Sequence, residues 1–194
     1  MKLKKTAVTA APLNDLIAER WSPRVFDASY ALSDKDLLSI LEAGRWAPSA
    51  NNVQPWRFSV ARRGDGLFDS VVGATSGFNQ AWLPSASALI LVSIPELTAD
   101  GQPYKIAMLD AGLAIQNMLI QTTSLGLYSH VVAGMDRDAM SQVVGLPENL
   151  HPIVLVAVGK HGDVEAIAGT PLHEREVAER TRLSLDEIVL VGKP

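Results

Sequence analysis

The segment Ala47-Pro48-Ser49-Ala50-Asn51-Asn52-Val53-Gln54-Pro55-Trp56-Arg57-Phe58 joins a helical pattern to a strand-like pattern. Its two prolines fix φ at both ends of the loop. The serine, the two asparagines and the glutamine between them offer hydrogen-bond donors and acceptors. A loop of this composition is suited to hold a flat ring that carries several heteroatoms. A capped turn between a helix and a strand is the alternative interpretation of the same residues.

Composition predicts one globular domain over residues 1–194. Hydrophobic residues make up 47% of the chain and charged residues 20%, which are ordinary values for such a domain. The net charge of −4 disfavours a nucleic-acid partner, because phosphate backbones require a basic face. The chain has no cysteine, which excludes thiol chemistry and is compatible with a cytoplasmic location. Any redox chemistry would therefore belong to a cofactor.

Helical periodicity recurs along the chain. The pattern over 12–20 predicts a helix with Pro12 at its first position, and a second helix is predicted over 33–47. Residues 105–125 are apolar almost all round, which predicts a helix buried on most sides and covered in part by a second subunit. Polar residues interrupt this stretch too often for it to span a membrane. A short helix capped by Asp136 follows.

Three stretches have the composition of strands. These are residues 57–61, 88–94 and 152–159, of which the last two are apolar on both faces and are therefore predicted to be central in their sheet. Residues 64–77 are interpreted as a loose connection that contains glycine. Helices and strands mix without regular βαβ alternation, which favours an α+β fold.

The two ends of the chain are less regular. Residues 1–11 are basic but too weakly apolar for a secretion signal, so we expect a frayed N-terminus there. Residues 160–194 turn polar and charged and resume an apolar pattern only at 183–191. This pattern predicts an extended C-terminal arm.

The segment Arg20-Trp21-Ser22-Pro23-Arg24-Val25-Phe26 places two guanidinium groups and a hydroxyl in one turn. We expect Pro23 to stop the helix and to let Arg20 and Arg24 converge. Arginine can bind a phosphate through two hydrogen bonds, and a serine adds a neutral donor. A solvated helix end with cations near the negative pole of the helix is the alternative interpretation.

Both segments resemble motifs of the FMN-dependent nitroreductase family. Residues 47–58 resemble its Pro-Ser-x-x-Asn-x-Gln-Pro-Trp-x-Phe signature almost residue for residue, and residues 20–26 resemble its Arg-x-Ser-x-Arg-x-Phe element. The resemblance spans about residues 12–190. It implies a nitroreductase-like α+β fold with a central, mostly antiparallel sheet flanked by helices. It also implies an intertwined homodimer with an extended C-terminal arm.

The resemblance implies which residues bind FMN. Arg180-Thr181-Arg182 resembles a basic element of the family that returns to the phosphate, although a solvated face is the alternative. The flavin is expected to be shared, with Arg20, Ser22 and Arg24 from one chain and Pro48, Ser49, Ala50 and Asn52 from the other. The full implied set is Arg20, Trp21, Ser22, Arg24, Pro48, Ser49, Ala50, Asn52, Gln54, Asn79, Val131, Val132, Ala133, Gly134, Arg180 and Arg182.

Two positions depart from the family pattern. Several members carry a lysine where this chain has Trp82, and many carry a glutamate where it has Ala133. Gly134 permits close backbone approach, so the main-chain N–H groups of Ala133 and Gly134 are expected to face the flavin. His130 is interpreted as a pocket or core histidine, and no side chain is assigned a catalytic role.

Other classes of site receive no support from the sequence. It contains neither a Gly-x-Gly-x-x-Gly motif nor a P-loop. The residues His151, His161 and His173 lack metal-ligand spacing, so we expect no metal.

The resemblance implies an oxidoreductase that carries electrons from NADH or NADPH to nitroaromatic, quinone or related small-molecule acceptors. A ping-pong mechanism is expected because no second nucleotide motif is present to hold the donor while an acceptor binds. Two alternatives remain open. One is a module that senses or sequesters FMN with little turnover. The other is a specialised branch of the family, such as a dehalogenase or dehydrogenase.

Overall fold

Four strands form one antiparallel sheet in the computed structural model, which describes residues 3–192. Their order across the sheet is β1-β2-β4-β3, so β2 and β4 are central, as their apolar sequences predicted. All three strands predicted from the sequence are confirmed. The strands are β1 (Arg57–Arg62), β2 (Ala88–Pro95), β3 (Tyr128–Val132) and β4 (Leu150–Gly159).

The described residues also form eight α-helices. They are α1 (Asp15–Glu19), α2 (Asp34–Arg45), α3 (Gly66–Gly73), α4 (Gly77–Gln80), α5 (Ala107–Ser124), α6 (Arg137–Val144), α7 (Pro171–Val177) and α8 (Leu185–Ile188). The caps follow the sequence signals: Ser33 accepts from the Asp36 N–H at the start of α2, and Asp136 accepts from the Ala139 N–H at the start of α6. Gly126, after α5, has a φ of 71°, which glycine adopts without strain.

Helices cover both faces of the sheet. Successive side chains of a strand point to opposite faces, so Ile90 of β2 packs in the cluster that contains α2 and α5, and Leu91 packs in the cluster that contains α3 and α6. Gly44 of α2 lets α5 approach closely, because a Cβ atom there would lie 2.9 Å from Met118 Cγ. The α+β fold with an antiparallel sheet flanked by helices is therefore confirmed.

Two predicted elements are wrong. The first helix begins after Asn14, whose side chain accepts from the Leu16 N–H, and not at Pro12. The asparagine caps the helix, and the cap overrides the preference of proline for the first turn. Residues 64–77 are not a loose connection, since they contain α3. Asp65 caps this helix and its apolar residues at helical spacing are buried.

The N-terminal end of the chain differs in part from expectation, whereas the extended C-terminal arm stays a prediction. Residues 1–2 and 193–194, parts of the predicted frayed terminus and C-terminal arm, lie outside the described residues. The prediction of a frayed terminus is wrong for residues 5–7. Lys5 Nζ donates to the Glu176 carbonyl, and the Ala7 N–H donates to the Ala18 carbonyl. Residues 160–192 include α7, which packs on the body of the protein, and α8. A search of residues 3–192 finds no helix with the length and apolar character needed to span a membrane.

Candidate functional site

The arginine loop, residues 20–24, follows the end of α1 and is held by the rest of the protein. Arg20 Nη1 donates to Ser22 Oγ at 3.2 Å. The Pro23 carbonyl accepts from His130 Nδ1–H on β3 at 2.8 Å. The Arg24 N–H donates to a carboxylate oxygen of Glu176 on α7 at 2.7 Å. Elements that are far away in sequence therefore determine the shape of the loop.

Three arginines gather at this loop. Burial lowers the pKa of Arg20, and the neighbouring charges of Arg180 and Arg182 lower it further. Arg180 Nη1 donates to the carbonyls of Lys5 and Ala18, which ties the C-terminal segment to α1. Arginine keeps its charge despite such a shift. The arginine cluster, defined as Arg20, Arg180 and Arg182, therefore favours an anionic ligand.

Arg24 belongs to a second group of charges. Burial lowers its pKa, Arg175 lowers it further, and Glu176 opposes the shift. Different charges therefore act on Arg20 and on Arg24, and the convergence of the two side chains stays a prediction. Burial lowers the pKa of Lys5, Glu176 raises it, and Arg180 and Arg24 lower it further. Lys5 is therefore near both groups of charges. Sequence reasoning missed Lys5 because it treated residues 1–11 as frayed.

Trp21, which the resemblance includes in the site, has a buried side chain. Its ring packs edge-on against Tyr128 and His161, at centroid distances of 5.9 and 5.2 Å. Lys5 Nζ lies 4.8 Å from the centre of the same ring. The indole therefore supports the arginine loop from within the core, which leaves the main chain of Trp21 as the part that a ligand can contact.

His130 is a core histidine, one of the two interpretations that the sequence allowed. Its ring lies 4.7 Å from that of Trp82, which also stacks on Phe26. Burial lowers the pKa of His130. Because Nδ1–H donates to the Pro23 carbonyl, the neutral imidazole fits this place. Trp82 is buried as well, so it does not present a polar group to a ligand.

Asn79 and Gly134 meet at the end of β3. Asn79 Nδ2 donates to Ser76 Oγ at 3.2 Å and to the Gly134 carbonyl at 3.3 Å. A Cβ atom at Gly134 would lie 2.5 Å from Ser76 Oγ, so only glycine fits here without displacement. Val132 is buried and Val131 is half-buried, whereas residues 133–134 are exposed. The structure thus brings Asn79 together with an accessible stretch of main chain.

The polar loop, residues 48–54, has an unusual backbone. Asn51, Asn52 and Gln54 have φ values of 48°, 57° and 52°, a region that residues other than glycine rarely occupy. The Gln54 N–H donates to Ser49 Oγ at 3.0 Å, and Gln54 Nε2 donates to the Asn52 carbonyl at 2.9 Å. Pro48 and residues 51–53 are exposed. The loop therefore turns its strained, polar edge outward.

A buried aspartate anchors the polar loop. Asp110, in the first turn of α5, accepts from the Ala50 N–H at 3.2 Å and from the Tyr104 hydroxyl at 3.3 Å. Its exposed fraction is 2%. Carboxylates are almost never fully buried unless they have partners. An acidic residue within an apolar helix was the sequence signal for this role, and sequence reasoning did not use it.

The two loops lie at opposite ends of α5. The polar loop binds Asp110 near the start of the helix, whereas Glu19, beside the arginine loop, borders a small cavity with Thr123 near its end. These two helical positions are roughly 20 Å apart at 1.5 Å per residue. The polar loop and the arginine loop of one chain are therefore separated by most of the length of α5.

Two larger clefts lie near one or the other of these loops. One, of about 470 Å³, is bordered by Arg24, Trp82 and His161. The other, of about 610 Å³, lies beside the start of α5 and is bordered by Tyr104 and Met108. Neither cleft includes both loops. Within residues 3–192, no three His, Asp or Glu side chains are grouped so that they could hold a metal ion.

Comparison with known proteins identifies the family. A profile described as the nitroreductase family matches residues 17–72 and 67–160. An uncharacterized 15.4 kDa protein from the ask 5′ region of Mycolicibacterium smegmatis is 34% identical over 145 residues, or 71% of this chain and 96% of that protein. An Archaeoglobus fulgidus protein, provisionally named NADH dehydrogenase/NAD(P)H nitroreductase, is 34% identical over 149 residues, or 74% of this chain and 82% of that protein.

A solved structure agrees with these matches. The crystal structure of an oxidoreductase containing FMN superposes with a TM-score of 0.90 and 30% identity, and the match covers 100% of this chain and 98% of that chain. The chain therefore belongs to the nitroreductase family, and the resemblance inferred from the motifs is confirmed. It is an enzyme of the oxidoreductase class.

Proposed function

We propose that the protein is an FMN-dependent oxidoreductase that carries electrons from NADH or NADPH to nitroaromatic, quinone or related acceptors. The arginine cluster is the observation that carries this proposal. The FMN phosphate, like a phosphorylated side chain, has about two negative charges near neutral pH. Arg20, Arg180 and Arg182 supply cations at one place, and the FMN named in a structural neighbour agrees with this assignment.

The residues present fit this cofactor. Arg20, Ser22 and Arg182 would bind the phosphate, while Arg180 adds charge and keeps the C-terminal segment attached to α1. Asn79 and the accessible main chain of residues 133–134 would hold the polar edge of the ring. Bound FMN would supply the redox chemistry, and the protein binds and orients the reactants.

The polar loop would come from a second copy of the chain. Met108, Leu109 and Leu113 of α5 expose 58%, 61% and 39% of their surface, and an apolar patch of this kind is typical of an interface. In a twofold dimer, α5 of each copy contacts the same face of the other. Such a dimer would join the polar loop of one copy to the arginine loop of its partner, since within one chain the two loops lie near opposite ends of α5.

The C-terminal arm would contribute to the same interface. Residues 181–188 are exposed, yet Leu183, Leu185 and Ile188 are apolar. Their exposed fractions are 66%, 54% and 58%. We propose that the partner subunit covers these side chains, so that the arm holds Arg180 and Arg182 close to the shared site.

A ping-pong order of substrates follows from the same proposal. The chain has no Gly-x-Gly-x-x-Gly motif that would hold a dinucleotide in a site of its own, so the donor and the acceptor would use the same space in turn. His130 is an unsuitable proton donor, because its Nδ1–H is engaged with the Pro23 carbonyl and burial lowers its pKa. Its replacement by alanine should therefore change acceptor preference or KM more than the rate of flavin reduction.

The purified protein tests the proposal. FMN should copurify and be identified by mass analysis, NADH or NADPH should bleach its visible spectrum under anaerobic conditions, and double-reciprocal plots should be parallel. Recovery of FAD, or an FMN affinity weaker than micromolar (about −8 kcal/mol), would contradict it. Bound FMN that neither nicotinamide can bleach would indicate a binding module without turnover.

A further inference from the structure

Glu176 is a fully buried carboxylate in α7, with 0% of its surface exposed. One oxygen accepts from the Arg24 N–H at 2.7 Å, and the other lies 3.0 Å from His161 Nε2. Burying a carboxylate is costly unless its oxygens have partners. Both oxygens have one here, so the side chain is held in a single orientation.

This carboxylate joins segments that are distant in sequence. Arg24 belongs to the arginine loop, His161 follows β4, and Lys5 Nζ donates to the main-chain carbonyl of Glu176 itself at 2.7 Å. The junction therefore determines where α7 lies relative to the arginine loop.

Cationic side chains flank the junction along the chain. Arg175 packs with its guanidinium 4.3 Å from the centre of the Phe78 ring, next to Asn79. Arg180 follows α7 and reaches the end of α1 through the Ala18 carbonyl. The position of α7 thus controls how the C-terminal cations approach the arginine loop.

We propose that Glu176 is a positioning residue for the phosphate of FMN, because it holds α7 and the arginine loop together so that Arg20 and Arg182 face one anion. This assignment rests on the proposed function. The charge of Glu176 stabilises the cations Lys5 and Arg24, but a negative charge near an anion site opposes the binding of the anion. Its geometry favours phosphate binding, because its contact with the Arg24 N–H joins α7, which precedes Arg180 and Arg182, to the loop that carries Arg20.

Affinities for FMN and for riboflavin, which lacks the phosphate, separate positioning from charge. Glu176→Ala removes both acceptors. Glu176→Gln removes the charge but keeps an oxygen that can accept from the Arg24 N–H. Its amide NH2 can donate to His161 Nε2 when the neutral imidazole carries its proton on Nδ1. Glu174→Gln is the matched control, because it removes the same charge from an exposed position of the same helix.

Positioning predicts that Glu176→Ala lowers the ratio of FMN to riboflavin affinity by about tenfold or more, as for one lost hydrogen bond to a charged group. Glu176→Gln and Glu174→Gln should keep the ratio within about twofold of the wild type. If Glu176→Ala does not fold, Glu176→Asp takes its place. It keeps the charge but is one methylene too short to reach both partners, so the same loss is expected.

Three results overturn the assignment. A ratio unchanged in Glu176→Ala, or in Glu176→Asp where alanine fails to fold, excludes positioning while leaving the proposed function intact. A higher ratio of FMN to riboflavin affinity in both Glu176→Ala and Glu176→Gln would mean that Glu176 acts on FMN only through its negative charge. A wild-type protein without preference for FMN over riboflavin overturns the proposed function and this assignment together.

Discussion

The arginine loop and the polar loop differ in how the chain holds them. The arginine loop is half-buried and is fastened by His130 from β3 and Glu176 from α7. The polar loop has its main anchor in Asp110 and presents Asn51 and Asn52 to solvent in the left-handed region. Such residues cost about 1–3 kcal/mol each. The first loop is held by several contacts within the chain, whereas the second keeps a polar edge exposed to solvent.

The largest effect should come from keeping the two loops apart. Leu109→Glu places a charge on the exposed apolar face of α5, where burial of an unpaired charge would oppose association. We expect a monomer by light scattering, with FMN affinity reduced at least about a hundredfold, or roughly 2.8 kcal/mol. Leu38→Glu is the control, since Leu38 is a similarly exposed leucine on α2. A monomer that still binds FMN tightly would refute the shared site.

Removing one cation from the arginine cluster should have the next largest effect. Arg182→Ala should weaken FMN binding by roughly 1.5–3 kcal/mol, or about tenfold to more than a hundredfold, because a hydrogen bond between charged groups is lost. Fluorescence titration measures this change. Arg45→Ala is the control, because Arg45 is exposed and pairs with Glu42 on α2. Equal affinity in both variants would mean that the arm is only a solvated face.

Gly134→Ala tests whether Ser76, Asn79 and Gly134 are closely packed at the end of β3. The added Cβ would lie 2.5 Å from Ser76 Oγ and 2.9 Å from Asn79 Nδ2, and overpacking of this kind costs about 1–3 kcal/mol. Urea unfolding should detect the loss. Gly73→Ala, where a Cβ meets no atom within 4 Å, should show none. Ser76→Ala in the Gly134→Ala background should restore part of the stability, and failure to do so would contradict the assigned contact.

The smallest effect concerns the anchor of the arginine loop on His130. Burial lowers its pKa below the ordinary value of 6.5, so the unfolded chain binds the proton more readily than the folded one. The contribution of the neutral His130 to the free energy of unfolding is therefore fully present above pH 6.5. It is lost as the pH falls toward the folded-state pKa of His130, by at most about 1.4 kcal/mol per pH unit.

Urea unfolding between about pH 5 and pH 8 measures this slope in the range where histidine titrates. His130→Gln should flatten the slope below pH 6.5, whereas His173→Gln, at a half-buried position on α7, should leave it in place. Identical slopes in the wild type and His130→Gln would show that another group is responsible.

Sequence patterns predicted the elements that depend on local chemistry. The apolar runs of β2 and β4 and the caps of α2 and α6 are confirmed. The prediction failed at Pro12, where a neighbouring cap determined the start of the helix, and at residues 64–77, where Asp65 begins α3. At these two places a capping side chain was decisive, and the proline and glycine signals were misleading.

The sequence by itself determined three of the four strands and four of the eight helices within residues 3–192, as well as the two loop motifs, because alternation, helical periodicity and capping act over a few residues. Only the tertiary structure decided which charges meet. Lys5, Arg24 and Glu176 are brought together across as many as 171 residues, and burial, followed by the charges of Arg180 and Arg182, lowers the pKa of Arg20. Such contacts depend on how whole elements pack, so no local spacing encodes them. The same packing places the two loops at opposite ends of α5, which makes a second chain necessary for the proposed site.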